Sequence, residues 1–191
     1  MTQSFERHFR KHQQVVEASV AALAQEASAA AGAMVAALRG GNMVICFGNG
    51  GSSTQASHLA EELVGRYKKT RRPFPAMSLS SDSGTVTCIS NDFGYETLFE
   101  RQIEAFAKAG DVAVALTTSG RSENVVRALR AAKAKGAVTI ALTGEAGLTG
   151  AEADHVLAVP SADGEHIQEV HLMLLHFWCA AVDDELANAG S

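Results

Sequence analysis

The sequence predicts an α/β fold: a doubly wound, flavodoxin-like sheet of five parallel strands with helices on both faces and a helical extension at the N-terminus. Three observations predict it. Short apolar runs of strand length alternate with helical stretches from residue 43 onward. Two of those runs end in a turn of glycines and hydroxyls that opens the next helix. Before the first strand, residues 3–38 show helical periodicity without a proline. No internal linker, tandem repeat or low-complexity tail interrupts the chain, so 1–191 reads as a single domain.

The extension repeats Phe5, Phe9, His12, Val16, Val20 and Leu23 at helical spacing, as one long helix or two shorter ones. Gly40-Gly41 stops it. It holds more helix than one α/β layer needs. Residues 1–40 therefore read either as a covering helix or as a segment that packs against another subunit. Then follow strand Met43–Phe47, helix Ser53–Tyr67, a basic loop Lys68–Pro75 and strand Ala76–Ser80. Asp82–Ser90 is a short helix or turn, and Tyr95–Lys108 a helix. Strand Val112–Leu116, helix Ser122–Lys135, strand Ala137–Leu142, strand Val156–Val159 and a long closing helix Glu165–Leu186 complete the chain. Right-handed crossovers place such strands in one sheet, with ligands at their carboxyl ends.

Composition excludes several classes. With 47% hydrophobic and 19% charged residues the chain is globular and long enough to bury a full core. A net charge of −5 argues against a nucleic-acid binder with a basic footprint. Cys46, Cys88 and Cys179 are widely spaced without a Cys-x-x-Cys pattern, as expected of reduced thiols. Met1–His12 lacks the apolar core of a secretory signal, and the apolar run Leu172–Val182 is too short to cross a bilayer. A cytoplasmic protein that contacts neither nucleic acid nor membrane is expected.

Four constellations could carry chemistry. The first is Gly48-Asn49-Gly50-Gly51-Ser52-Ser53 between strand and helix. Free amides and the positive helix end make such a turn an anion site, and glycines let the backbone approach a ligand. It is neither a Gly-x-x-x-x-Gly-Lys phosphate loop nor a Gly-x-Gly-x-x-Gly fingerprint, and an ordinary βα loop would also contain glycine. Further along that helix, His58 and Glu62 share one face. The second is Thr117-Thr118-Ser119-Gly120-Arg121-Ser122 ahead of the next helix. Its hydroxyls suit phosphate, although Ser122 would also serve as a plain N-cap. The third is Asn91-Asp92, either sugar ligands at a strand end or, for Asp92, a cap of the following helix. The fourth lies in the closing helix, where Gln168 and His176 fall on roughly one face and His176 interrupts an apolar run. A histidine there is commonly a hydrogen-bonded core residue. With His58 and Glu62 it could instead complete an N/O site suited to zinc.

Taken together, Gly48–Ser52, His58-Leu59-Ala60-Glu61-Glu62, Asn91–Gly94, Thr118-Ser119-Gly120-x-Ser122 and Ile167-Gln168-Glu169-x-His171 with His176 resemble the sedoheptulose-7-phosphate (phosphoheptose) isomerases of the SIS-domain superfamily. The resemblance covers nearly the whole chain. It implies a homotetramer with sites at subunit interfaces, residues 1–40 serving in oligomer packing. It also implies one Zn²⁺ per subunit on His58, Glu62, Gln168 and His176. Substrate would be bound by Asn49, Gly50, Gly51, Ser52, Glu62, Asn91, Asp92, Thr117, Thr118, Ser119, Ser122 and Gln168. Two positions depart from the family pattern: Gln55, where many members have Asp, and Thr117, where many have Ser.

The implied reaction converts sedoheptulose 7-phosphate to D-glycero-D-manno-heptose 7-phosphate, the first step toward ADP- or GDP-heptose precursors such as those of lipopolysaccharide. A proton leaves the carbon beside a carbonyl, an enediol(ate) forms, and the proton returns to the neighbouring carbon. Glu62 is assigned as base and His176 as acid. The competing reading from another class is a non-catalytic SIS-fold protein that binds sugar phosphates or associates with a replication initiator. An isomerase for a different sugar phosphate is the competing enzyme. Glu62 and His176 together favour an enzyme.

Overall fold

The computed structural model describes residues 4–187. The expected helical stretch 3–38 begins at Gln3, outside the described residues, as do both ends of the 1–191 domain. A single helix, α1 (Phe5–Arg39), replaces the choice of one or two. Ser4 caps it by accepting from the Arg7 N–H, and Gly40 closes it with its own N–H on the Ala36 carbonyl. One stripe, from Val15 and Leu23 through Ala27, Ala30, Met34 and Leu38, is buried. By length and composition α1 is the helix long and apolar enough to cross a membrane among the described residues. Here that apolar stripe is used against the closing helix.

The remaining elements are β1 (Val44–Gly48), α2 (Gly51–Val64), β2 (Ala76–Ser78), α3 (Ser83–Phe93), a 3₁₀ turn (Tyr95–Thr97), α4 (Leu98–Phe106), β3 (Val112–Leu116), α5 (Glu123–Ala134), β4 (Val138–Thr143), β5 (His155–Ala158) and α6 (Gly164–Leu186). All strands are parallel in the order β2-β1-β3-β4-β5, the flavodoxin-like order expected. Alternation along β1 divides the core. Val44 and Cys46 face α1, α2 and α6, while Ile45 and Phe47 face α4 and α5. Trp178 of α6 is fully buried and donates its indole N–H to the Ala27 carbonyl at 3.0 Å, fastening α6 to α1.

Several boundaries differ from expectation. Helix α2 ends at Val64, not Tyr67, because Gly65 follows and Arg71 satisfies the last-turn carbonyls of Glu62 and Leu63. Helix α3 runs on to Phe93, so Asn91 and Asp92 lie in its last turn, not at a strand end. Asp92 therefore caps nothing, and Gly94 at φ +88° makes the break instead. The segment from Tyr95 divides into the 3₁₀ turn and α4 and ends at Phe106, not Lys108.

Candidate active site

The register pairs Val44 with Val112 and Gly48 with Leu116, so β1 and β3 end level. Their following turns, 49–51 and 117–122, therefore stand side by side at the carboxyl edge of the sheet. A Cβ on Gly48 would lie 2.7 Å from the Leu116 carbonyl oxygen and 2.9 Å from Ser52 Cβ, so the strands can close here only over glycine. Gly50 takes φ +56°, ψ −126°, a conformation closed to other residues. No side chain caps the start of α2. Ser122 is the N-cap of α5 yet makes no cap bond; its Oγ lies 3.5 Å from Thr117 Oγ1. Thr117 Oγ1 in turn is 3.5 Å from Ser119 Oγ and accepts from the Gly120 N–H at 3.2 Å. Two uncapped helix starts and a hydroxyl cluster thus face one place, with Ser52 buried behind it and Thr118 beside it.

Asn49 is held rigidly. It exchanges two hydrogen bonds of 2.9 Å with Asn124, and its Oδ1 also accepts from the Tyr95 hydroxyl at 2.8 Å. This bond from the 3₁₀ turn brings the end of α3 toward the same edge. Asn91 and Asp92 are exposed there, with Asn91 Nδ2 donating to Asp92 Oδ1 at 2.7 Å.

Helices α2 and α6 meet on the opposite side of the Gly turn. His58 Nε2 is 3.1 Å from His176 Nε2 and 3.6 Å from Glu62 Oε1. One ligand atom from each of the three falls within 4.8 Å of the others. His58 Nδ1 faces Glu61 at 3.5 Å, and Tyr67 stacks on His176 with centroids 5.7 Å apart. His176 is thus half-buried at an edge, not sealed in the core. His171, by contrast, is fully sealed. Its Nε2–H donates to the Thr143 carbonyl at 3.2 Å, and burial pushes its pKa down to about 4, so it stays neutral. Gln168 stands two turns before His176 on α6, and its amide lies against Gly51. Gln55 donates its amide N–H to the Gln168 carbonyl at 2.7 Å, a bond that an Asp could not make.

Two comparisons decide the family. The SIS domain model matches residues 7–144. A phosphoheptose isomerase of Aquifex aeolicus is 46% identical over 185 residues, covering 96% of this chain and 97% of its own. This chain belongs to the phosphoheptose isomerase family of SIS-domain proteins. Solved structures agree with that placement. A phosphoheptose isomerase from Francisella tularensis is similar with a TM-score of 0.89 at 33% identity, over 94% of this chain and 96% of that one. One from Neisseria gonorrhoeae gives 0.84 at 33% identity, over 93% and 95%.

For a phosphoheptose isomerase-type chain, sequence reasoning passed over four supporting residues. Asn124 and Tyr95 fix Asn49, and Tyr67 steadies His176. Arg71 spans from the Glu62 carbonyl at 2.8 Å to Asp183 Oδ1 at 2.7 Å, with both side chains buried. The only sequence signals were an Asn in the first turn of a helix and an Arg in a loop read as merely basic.

Proposed function

We propose that this protein is an aldose–ketose isomerase that interconverts sedoheptulose 7-phosphate and D-glycero-D-manno-heptose 7-phosphate. The observation that carries the proposal is the meeting of His58 and Glu62 from α2 with His176 from α6, beside two uncapped helix starts. Names of full-length relatives support the substrate class. A regulatory SIS protein has no use for this acid–base group.

The substrate phosphate is assigned to the Asn49–Ser52 turn with Thr117, Thr118, Ser119 and Ser122, where neutral donors and helix dipoles supply the field. Asn91, Asp92 and Gln168 are assigned to sugar hydroxyls. Glu62 removes the proton beside the carbonyl and returns it to the adjacent carbon, and His176 gives and takes the proton on oxygen. Arg71 anchors the last turn of α2 at the Glu62 backbone carbonyl, and Tyr67 stacks on the His176 ring.

The triad also fits a metal ion. Two Nε2 atoms at 3.1 Å can share only one proton, and their separation is close to the ligand edge of a tetrahedral zinc site, about 3.3 Å for Zn–N near 2.0 Å. Glu61 facing the far nitrogen of His58 is the usual outer carboxylate. His58, Glu62 and His176 would hold one Zn²⁺ per subunit, with Gln168 as a further oxygen donor; with the ion bound, the proton transfers would fall to the second carboxylate oxygen of Glu62 and to the other ring nitrogen, Nδ1, of His176. When bound, the ion would polarise carbonyl and hydroxyl oxygens as a Lewis acid.

We also assign a homotetramer with sites at subunit interfaces. Phe9, Val20, Met173 and Phe177 leave a largely apolar face on α1 and α6, around a groove of about 320 Å³. Sedimentation at micromolar concentration should give four chains per particle; a stable monomer would sink this assignment. Cytoplasmic residence and a role ahead of nucleotide-activated heptose in lipopolysaccharide synthesis complete the proposal. Three cysteines without a disulfide among the described residues support the former.

The test is direct. Purified protein should convert sedoheptulose 7-phosphate, and absence of turnover in metal-saturated protein removes the proposal. Ser119→Ala should mainly raise KM, by the 1–2 kcal/mol or so of one hydrogen bond to a charged group. An unchanged KM would place the phosphate elsewhere.

A further inference from the structure

At the far end of the α1–α6 contact lies a second cluster of metal-ligating side chains. His8 and His12 are one turn apart on α1. His166 and Glu169 share the first two turns of α6. The two pairs come from opposite ends of the chain and meet over one carboxylate. Glu169 Oε2 is 2.9 Å from His166 Nδ1 and 2.7 Å from His12 Nδ1, and Glu169 Oε1 is 3.8 Å from His8 Nε2. The rings of His8 and His12 flank that of His166, with centroids 4.7 and 5.7 Å away.

Two features set the cluster apart from an ordinary ion-pair network. His166 is 1% exposed, and among the described residues its Nε2 has no hydrogen-bond partner. His12 Nδ1 is close to Glu169 but not aligned for a hydrogen bond, and it too lacks a partner. One carboxylate cannot satisfy three imidazoles, and each buried nitrogen left over is destabilising. Ligand atoms of His12, His166 and Glu169 all lie within 4.8 Å of one another, and so do those of His8, His166 and Glu165. His166 is common to both groups.

We propose that His12, His166 and Glu169, with His8 beside them, form a second site for a divalent transition metal of the zinc type. Three imidazoles and one carboxylate are a donor set for zinc and its first-row neighbours, not for magnesium or calcium. His8 Nε2, 3.8 Å from Glu169 Oε1, is a further imidazole at the edge of these three. His166 stands ten residues before His176 on α6, roughly 15 Å of helix rise, so this ion is separate from the one assigned to the triad. Its effect is to clamp the first turns of α1, which are mostly exposed, onto the start of α6. The proposal does not rest on the isomerase reading.

The test is zinc stoichiometry of full-length, metal-stripped protein, titrated in competition with a chromophoric chelator. Wild type, His58→Ala, the double variant His8→Ala/His12→Ala and the single variant His166→Gln are compared, with circular dichroism confirming the fold. The double variant changes only half-buried surface positions, so it remains informative should His166→Gln fail to fold. The expected result is one equivalent of zinc per subunit that persists in His58→Ala and is lost in the double variant. The same equivalent should raise the melting temperature of wild type but not of the double variant. If no equivalent behaves this way, the second site does not exist, whatever the fate of the zinc bound through His58.

Discussion

Glu62→Gln is expected to lower kcat by about 10²–10⁴ while the protein stays folded. That range is the usual worth of a positioned general base. Glutamine keeps the shape of the side chain and one oxygen beside His58, but it cannot take a proton. The loss should fall on kcat more than KM, since proton transfer occurs only on the way to the transition state. His58→Ala should differ: zinc binding weakens first, and added zinc restores part of the turnover. Steady-state kinetics on both variants, with zinc content measured in parallel, separates the roles. Unchanged kcat in Glu62→Gln would reduce Glu62 to a helix residue near a histidine and move the base elsewhere.

Asp183→Ala is expected to destabilise the fold by about 3–5 kcal/mol, the cost of leaving a buried partner charge uncompensated. Asp183 accepts the backbone N–H groups of Lys68 and Lys69 at 2.8 Å each and Arg71 Nε at 2.7 Å. Exposed pairs such as Arg39–Glu185 should contribute no more than about 1 kcal/mol. For a chain of this size, the loss at Asp183 corresponds to a fall in Tm of very roughly 6–20 °C at fixed protein concentration. Burial pushes the Asp183 carboxyl up, but the Lys69, Arg71 and Lys68 donors outweigh it and hold its pKa below the ordinary aspartate value of 3.8. The sign follows from linkage. A depressed native pKa contributes stability that is complete above the unfolded value and is lost as pH falls through the folded one. Wild type should therefore lose this contribution below about pH 4, and Asp183→Asn should lack that part of the acid slope. A Tm within a degree of wild type would show that the pair does not hold α2, the loop and α6 together. Activity of the surviving fold should also fall, because Arg71 anchors the last turn of α2 at the Glu62 carbonyl.

The sequence by itself determined the layers of this protein. Strand-length apolar runs and helical periods are local signals, set by which side chains can be buried at period 2 or 3.6. They placed Val112–Leu116 to the residue and the other strands within two. The Gly48–Gly51 turn was legible for the same reason: backbone at φ +56° and strands this close admit only glycine, which leaves a mark in the sequence itself. The pairing of His58 with Glu62 was legible because one helix carries both.

What joins separate elements was decided only in three dimensions. That α2 meets α6 at His58 and His176 depends on strand order and crossover hand, which no short window of residues encodes. Gln168 lay on the expected face of α6, yet its amide rests against Gly51, a placement set by how the two helices slide past each other. Arg71 and Asp183 lie 112 positions apart, and in sequence each is an ordinary charge. The histidines of α1 and α6 were equally silent. A helix period shows that His8 and His12 share a face, but only packing aims that face at His166 and Glu169. Burial and mutual approach are properties of the assembled fold, and they turn common polar residues into sites.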